Sequence, residues 1–388
     1  PGLAKHRFSL DNVLRMAPHT LGAESEALLA AAGPVIQGPR EIRGILNSSD
    51  IPWPEVTLST GEKVTLDNQG YTRVRGAPNR ADRKLAMDRT FGAYKVYENS
   101  FGATLAAKIK GDIFQAKARK YDNTLQWALS GPNLPEGVYR TLIAETNKGL
   151  PVLHRYFALR QKMLGLPDMR YYDIYPPLVS SDLKFTLPQM RDLTLKAVTP
   201  LGPDYARLLS SATSAKWMDP LPRPGKRSGA YMFGSAYDVH PYLLLNLSED
   251  YDGVSTYAHE WGHAMHSVLA KQNQPYETAC YPTFTAEIAS TCNEQLLANY
   301  MLKNAKTKEE KLFYLGQQME NFRGSFFRQA MFAEFELAAH EIAERGEGVS
   351  GPKLTELYYG LLKKYHGPGM TIDETYGVAW AYILHFLN

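Results

Sequence analysis

Residues 259 to 266 read His-Glu-Trp-Gly-His-Ala-Met-His, and the first five form an H-E-x-x-H string. Residues four apart on an α-helix differ by about 40° in direction, so His259 and His263 leave one face and can share a metal ion. Glu260 borders that face, where a carboxylate can take a proton from water that the metal has made acidic. The chemistry of such a group is metal-assisted hydrolysis. A catalytic zinc takes three protein ligands and keeps a fourth position open. His266 lies about 10 Å along the helix axis from His259, too far to share the ion. Downstream, Phe284 to Glu294 is spaced as a second helix with Glu287, Ser290, Thr291 and Glu294 on a polar face, opposite Ile288 and Cys292. Glu287 is the expected third ligand. Glu294 is expected to accept a hydrogen bond from the free ring N–H of a ligand histidine.

The apolar residues Val254, Tyr257, Ala258, Trp261, Met265, Val268 and Leu269 recur at helical spacing around the string, and Asp252 is the expected N-cap. The string is therefore expected on a buried amphipathic helix.

Three stretches carry a resemblance: Gly225 to Tyr231 (GKRSGAY), His240 to Asn246 (HPYLLLN) and His259 to Ser267 (HEWGHAMHS). Together with Ile113 to Tyr121 and Phe327 to Glu336, they make the chain similar to the thimet oligopeptidase and oligoendopeptidase F family of zinc metallopeptidases. The oligoendopeptidase F branch is the nearer. The resemblance implies a mainly α, helical zincin-type metallopeptidase with a deep cleft and small β elements near the zinc helix. It implies one zinc ion per chain, held by His259, His263 and Glu287, with Glu260 as general base. Short unstructured peptides are the implied substrates, cut at internal bonds.

By the same resemblance His385 donates a hydrogen bond to the tetrahedral intermediate, and in the family a tyrosine-rich stretch follows it. The chain instead stops at Asn388, and it opens at Pro1 without an initiator methionine, so it is expected to be a piece of a longer member. Two competing expectations follow: an inactive zinc- or peptide-binding fragment, or a metallocarboxypeptidase in which Arg227 or Arg328 fixes a terminal carboxylate.

Length and composition agree with a folded helical protein. The 388 residues are 44% hydrophobic and carry a net charge of +3, and neither a basic stripe nor a nucleic-acid motif is present. No apolar run reaches the ~20 residues that span a bilayer. Nucleic-acid and membrane partners are thus not expected, and the oligomeric state is unknown. Two cysteines, Cys280 and Cys292, form no disulfide framework; they are expected as buried thiols in a cytoplasmic protein.

Periodicity places short helices over Phe8 to Ala32, then long ones over 79–108, 111–129 and 136–164. Residues 55 to 66 alternate and turn at Thr60-Gly61, which predicts a β-hairpin. Short strands are expected near 230–233 and 241–247. This second β element is expected to offer a sheet edge to a peptide backbone, with His240, Tyr242 and Tyr231 as substrate contacts. Gly225, Gly229 and Gly234 are expected to let its loop move. Residues 1–200 are expected to form a mainly helical region that makes one wall of the cleft, and 201–388 the catalytic region.

Overall fold

The computed structural model describes residues 3–179, 181–223, 226 and 229–387; Gly225 and Arg227 lie outside them. The protein is mainly α, as expected. It forms two compact units, each discontinuous in sequence: Pro1–Val13 with Val179–Met319, and Leu14–Leu178 with Glu320–Asn388. The boundary expected at residue 200 falls inside the first of these.

The second unit is built on long helices, among them Arg80–Val96, Glu98–Ala118, Glu136–Met163, Arg328–Glu344 and Gly351–His366. They enclose an aromatic core that includes Phe101, Phe335, Tyr358 and Trp380. The break expected between 108 and 111 is absent, because Glu98–Ala118 runs through Gly111 unbroken. A single glycine inside a helix costs only about 1 kcal/mol, which packing of the whole helix overrides. The chain breaks instead at Tyr97, between two helices. The predicted hairpin is present: Glu55–Thr57 pairs antiparallel with Lys63–Thr65, with Val56 opposite Val64 on the buried face. Its turn needs Gly61, which adopts φ +84°.

The first unit holds the H-E-x-x-H string on the helix Tyr251–Asn273, hereafter the motif helix. Its N-cap is Asp250, not Asp252: the Asp250 carboxylate accepts from the Gly253 N–H at 3.1 Å. Val254, Tyr257, Ala258, Trp261, Ala264 and Met265 repeat every three or four residues and are buried, so an apolar stripe anchors the helix along its length. The helix Thr283–Asn304, the acidic helix, packs along it.

Beside the motif helix lies a three-stranded sheet. Its central strand, Tyr242–Leu244, pairs parallel with Met218–Asp219 and antiparallel with Tyr231–Phe233, which leaves Tyr231–Phe233 as an edge. Among the described residues no helix is long and apolar enough to cross a membrane.

Candidate active site

One turn of the motif helix separates His259 from His263, and their Nε2 atoms approach to 3.1 Å. Glu287 Oε2 completes a triangle, 3.3 Å from His259 Nε2 and 3.4 Å from His263 Nε2. Tetrahedral ligands at 2.0–2.1 Å from a zinc ion stand about 3.3 Å from one another. The three donors therefore fit a zinc-sized ion without rearrangement.

Hydrogen bonds orient the donors and bias their charge. His259 Nδ1 stands 2.5 Å from Glu294 Oε1. The ring thus donates its proton to Glu294 and turns the Nε2 lone pair toward the other two donors. Burial disfavours the charged form of His259, but the Glu294 carboxylate outweighs it and raises the pKa above the usual value. Glu287 goes the opposite way. Hydrogen bonding to His263 and to Ser290 Oγ, the latter at 2.7 Å, brings its pKa down to about 2 against the effect of burial. It is a carboxylate at any physiological pH.

Glu260 is 6% exposed, and its Oε2 is a buried oxygen with no hydrogen-bond partner. Burial raises its pKa, opposed by the neighbouring His259 and His263. A carboxylate so placed is a stronger base than one in water.

The acidic helix reaches this position through small and polar residues. Ser290 and Asn293 are buried, and Asn293 Nδ2 donates to the Ala258 carbonyl at 3.1 Å. Ile288 is 62% exposed and Cys292 is exposed, so the face opposite Glu287 and Glu294 turns away from the motif helix. Cys280 is exposed as well, so neither cysteine is the buried thiol expected; both are free. The helix is turned by its need to present Glu287, Ser290, Asn293 and Glu294 inward, and that orientation leaves Ile288 and Cys292 outside.

His259, Glu260, His263 and Glu287 line a cavity of about 880 Å³ together with the edge strand residues Tyr231, Met232 and Phe233. Tyr281 and Cys280 also line it. Tyr242 faces a separate groove with Trp217, Tyr231 and Phe233. His240 lines neither; it stacks on Trp217 at 4.6 Å and donates through Nδ1 to the Pro241 carbonyl at 2.8 Å. His266 stacks on Tyr281 at 3.7 Å and takes no part in the donor triangle. His385 belongs to the other unit, where its ring lies 6.3 Å from that of Phe332. The loop before the central strand is pinned: Lys271 Nζ donates to the Ala236 and Val239 carbonyls at 2.5 and 3.1 Å.

A helical protein with a two-histidine, one-glutamate donor triangle and a buried carboxylate beside it is of the H-E-x-x-H metallohydrolase class. The comparisons narrow this. Residues 74–387 match the model of peptidase family M3 and residues 1–52 that of Oligopeptidase F, and the chain belongs to peptidase family M3. It is 39% identical to oligopeptidase PepF of Bacillus subtilis over 99% of its own length and 57% of that protein's. It is 36% identical to group B oligopeptidase PepB of Streptococcus agalactiae, over 100% of the chain and 64% of that protein. The crystal structure of oligoendopeptidase-F from Enterococcus faecium superposes with TM-score 0.76 at 29% identity, covering 100% of this chain and 63% of that one. The chain thus spans less than two thirds of the length of these relatives.

Proposed function

We propose that this chain is the zinc-binding portion of an endopeptidase that hydrolyses internal bonds of short unstructured peptides. The observation that carries this reading is the donor triangle of His259, His263 and Glu287 with Glu260 unpartnered beside it. Zinc, one ion per chain, would be held by these three residues, and when bound it supplies Lewis acidity to the scissile carbonyl and to water.

The chain's own groups do the rest. Glu260 accepts a proton from the attacking water and returns it to the leaving amine. Glu294 holds the His259 ring in the tautomer that presents Nε2. The edge strand Tyr231–Phe233 offers backbone groups to an extended peptide, with Tyr231 beside it as a side-chain contact. Tyr242 belongs to a separate groove that Tyr231 and Phe233 also line, and His240 stacks on Trp217. His385 is assigned to the tetrahedral intermediate by the family resemblance alone. Cytoplasmic peptide turnover is the proposed setting, consistent with two free thiols.

The metallocarboxypeptidase alternative has less support. Arg328 lines a cavity of about 20 Å³, room for a water-sized group and not for a peptide terminus. Arg227 lies outside the described residues.

The test measures zinc content and cleavage of an internally quenched peptide with an amidated C-terminus. Wild-type chain with one bound zinc and chelator-sensitive cleavage is expected. Glu260→Gln should keep the zinc and lose nearly all turnover; wild-type turnover by that variant rules out Glu260 as the base. Zinc without turnover in the wild type would identify a binding fragment.

A further inference from the structure

Arg323 and Arg328 are five residues apart, a spacing that on an α-helix points side chains about 140° from each other. Here residues 322–327 form a π-helical turn, whose i→i+5 ladder brings residues five apart toward one side. Both residues line one small cavity in the second unit, with Tyr171, Tyr175 and His366.

The charges around this cavity do not balance. The Arg75 guanidinium lies 4.4 Å from the centre of the Tyr175 ring and that of Arg323 lies 5.6 Å from it. Glu320 is the carboxylate at hand, and it is already engaged: Oε1 accepts from Arg160 at 2.7 Å and Oε2 from Arg323 at 2.9 Å. Among the described residues, no oxygen accepts a hydrogen bond from Arg328, whose contact is the Phe332 ring at 4.9 Å. The part-buried Arg328 guanidinium has phenols and a phenyl ring for cation–π partners and no carboxylate; burial disfavours its charge, but Tyr175, Tyr358 and Tyr171 outweigh that and raise its pKa, so it stays a cation. The field of these arginines is felt by their neighbours. Burial pushes the Tyr175 phenol up, yet Arg328, Arg75 and Arg323 bring it below its usual value.

We propose that this cavity binds a single halide-sized monovalent anion, chloride in ordinary solution, held by Arg328 and Arg323. The volume of about 20 Å³ admits one or two water-sized spheres, which suits a monatomic anion and not a carboxylate with its substituent. The site shares no residue with the donor triangle.

The experiment uses the full chain. Bromide-soaked crystals should show an anomalous peak between Arg323 and Arg328. In solution, chloride at fixed ionic strength should raise the unfolding midpoint by a few °C over gluconate, because a ligand that binds only the folded state stabilises it. Arg328→Met should abolish both effects. Arg328→Lys, which keeps the charge, should retain a weakened halide response and serves if the methionine variant does not fold. Absence of the bromide peak in the wild-type crystal, or a chloride effect unchanged in Arg328→Met, overturns the proposal. Acetate should fail to compete with bromide; equal competition overturns the halide assignment.

Discussion

Gly262 lies against the backbone of Ser290: a Cβ at Gly262 would fall 2.8 Å from Ser290 Cα and 2.8 Å from the Ala289 carbonyl oxygen. No flexible side-chain end is there to move away. The glycine inside the H-E-x-x-H string therefore sets the distance between the motif helix and the acidic helix, and with it the place of Glu287.

Gly262→Ala is expected to push the two helices apart. Overpacking of this kind costs about 1–3 kcal/mol, and a displaced Glu287 should weaken zinc binding by about tenfold or more. Gly92 is the control, since a Cβ there meets nothing within 4 Å and Gly→Ala inside a helix gains about 0.5–1 kcal/mol. Competitive zinc titration and chemical unfolding of both variants check this. Unchanged zinc affinity in Gly262→Ala would show that Glu287 is not placed by this contact.

Removing the acceptor behind His259 should act on the metal and leave the fold intact. Glu294→Ala deletes the 2.5 Å contact to His259 Nδ1. Loss of such an orienting partner lowers metal affinity about 10–100-fold. Glu294→Gln, which keeps an acceptor oxygen, should recover most of it. Equal affinities for wild type and Glu294→Ala would mean that packing alone orients the ring.

The two histidines and the base were legible from spacing on one helix, because a four-residue interval means the same thing in every α-helix. Glu287 was legible as part of a polar face, but the direction of that face was not. Ile288 and Cys292 are apolar by type and exposed in fact, because proximity to the histidines, not hydrophobicity, decides which side of this helix turns inward. The role of Gly262 was invisible, since a lack of room appears only when another backbone lies against it. The same holds for Arg323 and Arg328: a period of 3.6 sends them apart, and a π-helical turn has no simple composition signal. The hairpin was readable because its turn glycine and alternating valines are local features.

His366 supplies a pH dependence in the second unit. Burial, with Arg323 and Arg328 nearby, holds its pKa down to about 3, and its Nδ1 donates to the Leu362 carbonyl at 2.8 Å. The unfolded chain has a histidine near ~6.5. Because the folded value is the lower one, the unfolded state binds the proton first, so this contribution is fully present above pH ~6.5 and is lost as pH falls toward 3. Once the unfolded histidine is charged the slope is about 1.4 kcal/mol per pH unit. His366→Gln should flatten the stability profile between pH 4 and 6 by one proton. An unchanged slope in the variant would assign the acid sensitivity elsewhere.

Cys280 and Cys292 are both exposed and free, but only Cys280 lines the cavity that holds Glu260 and Glu287. A bulky maleimide on Cys280 should therefore occupy space that a peptide needs, whereas Cys292 lies on the outer side of the acidic helix. In a form of the enzyme that turns over peptide, alkylation is expected to lower cleavage at least tenfold in wild type and in Cys292→Ala, but to leave Cys280→Ala active. Zinc content should stay the same throughout, since neither thiol belongs to the donor triangle. Loss of zinc on alkylation would point to distortion of the acidic helix instead of obstruction. Inhibition that persists in Cys280→Ala would show that peptides do not enter past this thiol. A small reagent that merely caps the thiol with a methylthio group should inhibit less than the maleimide, because obstruction depends on the volume added and not on the loss of the S–H.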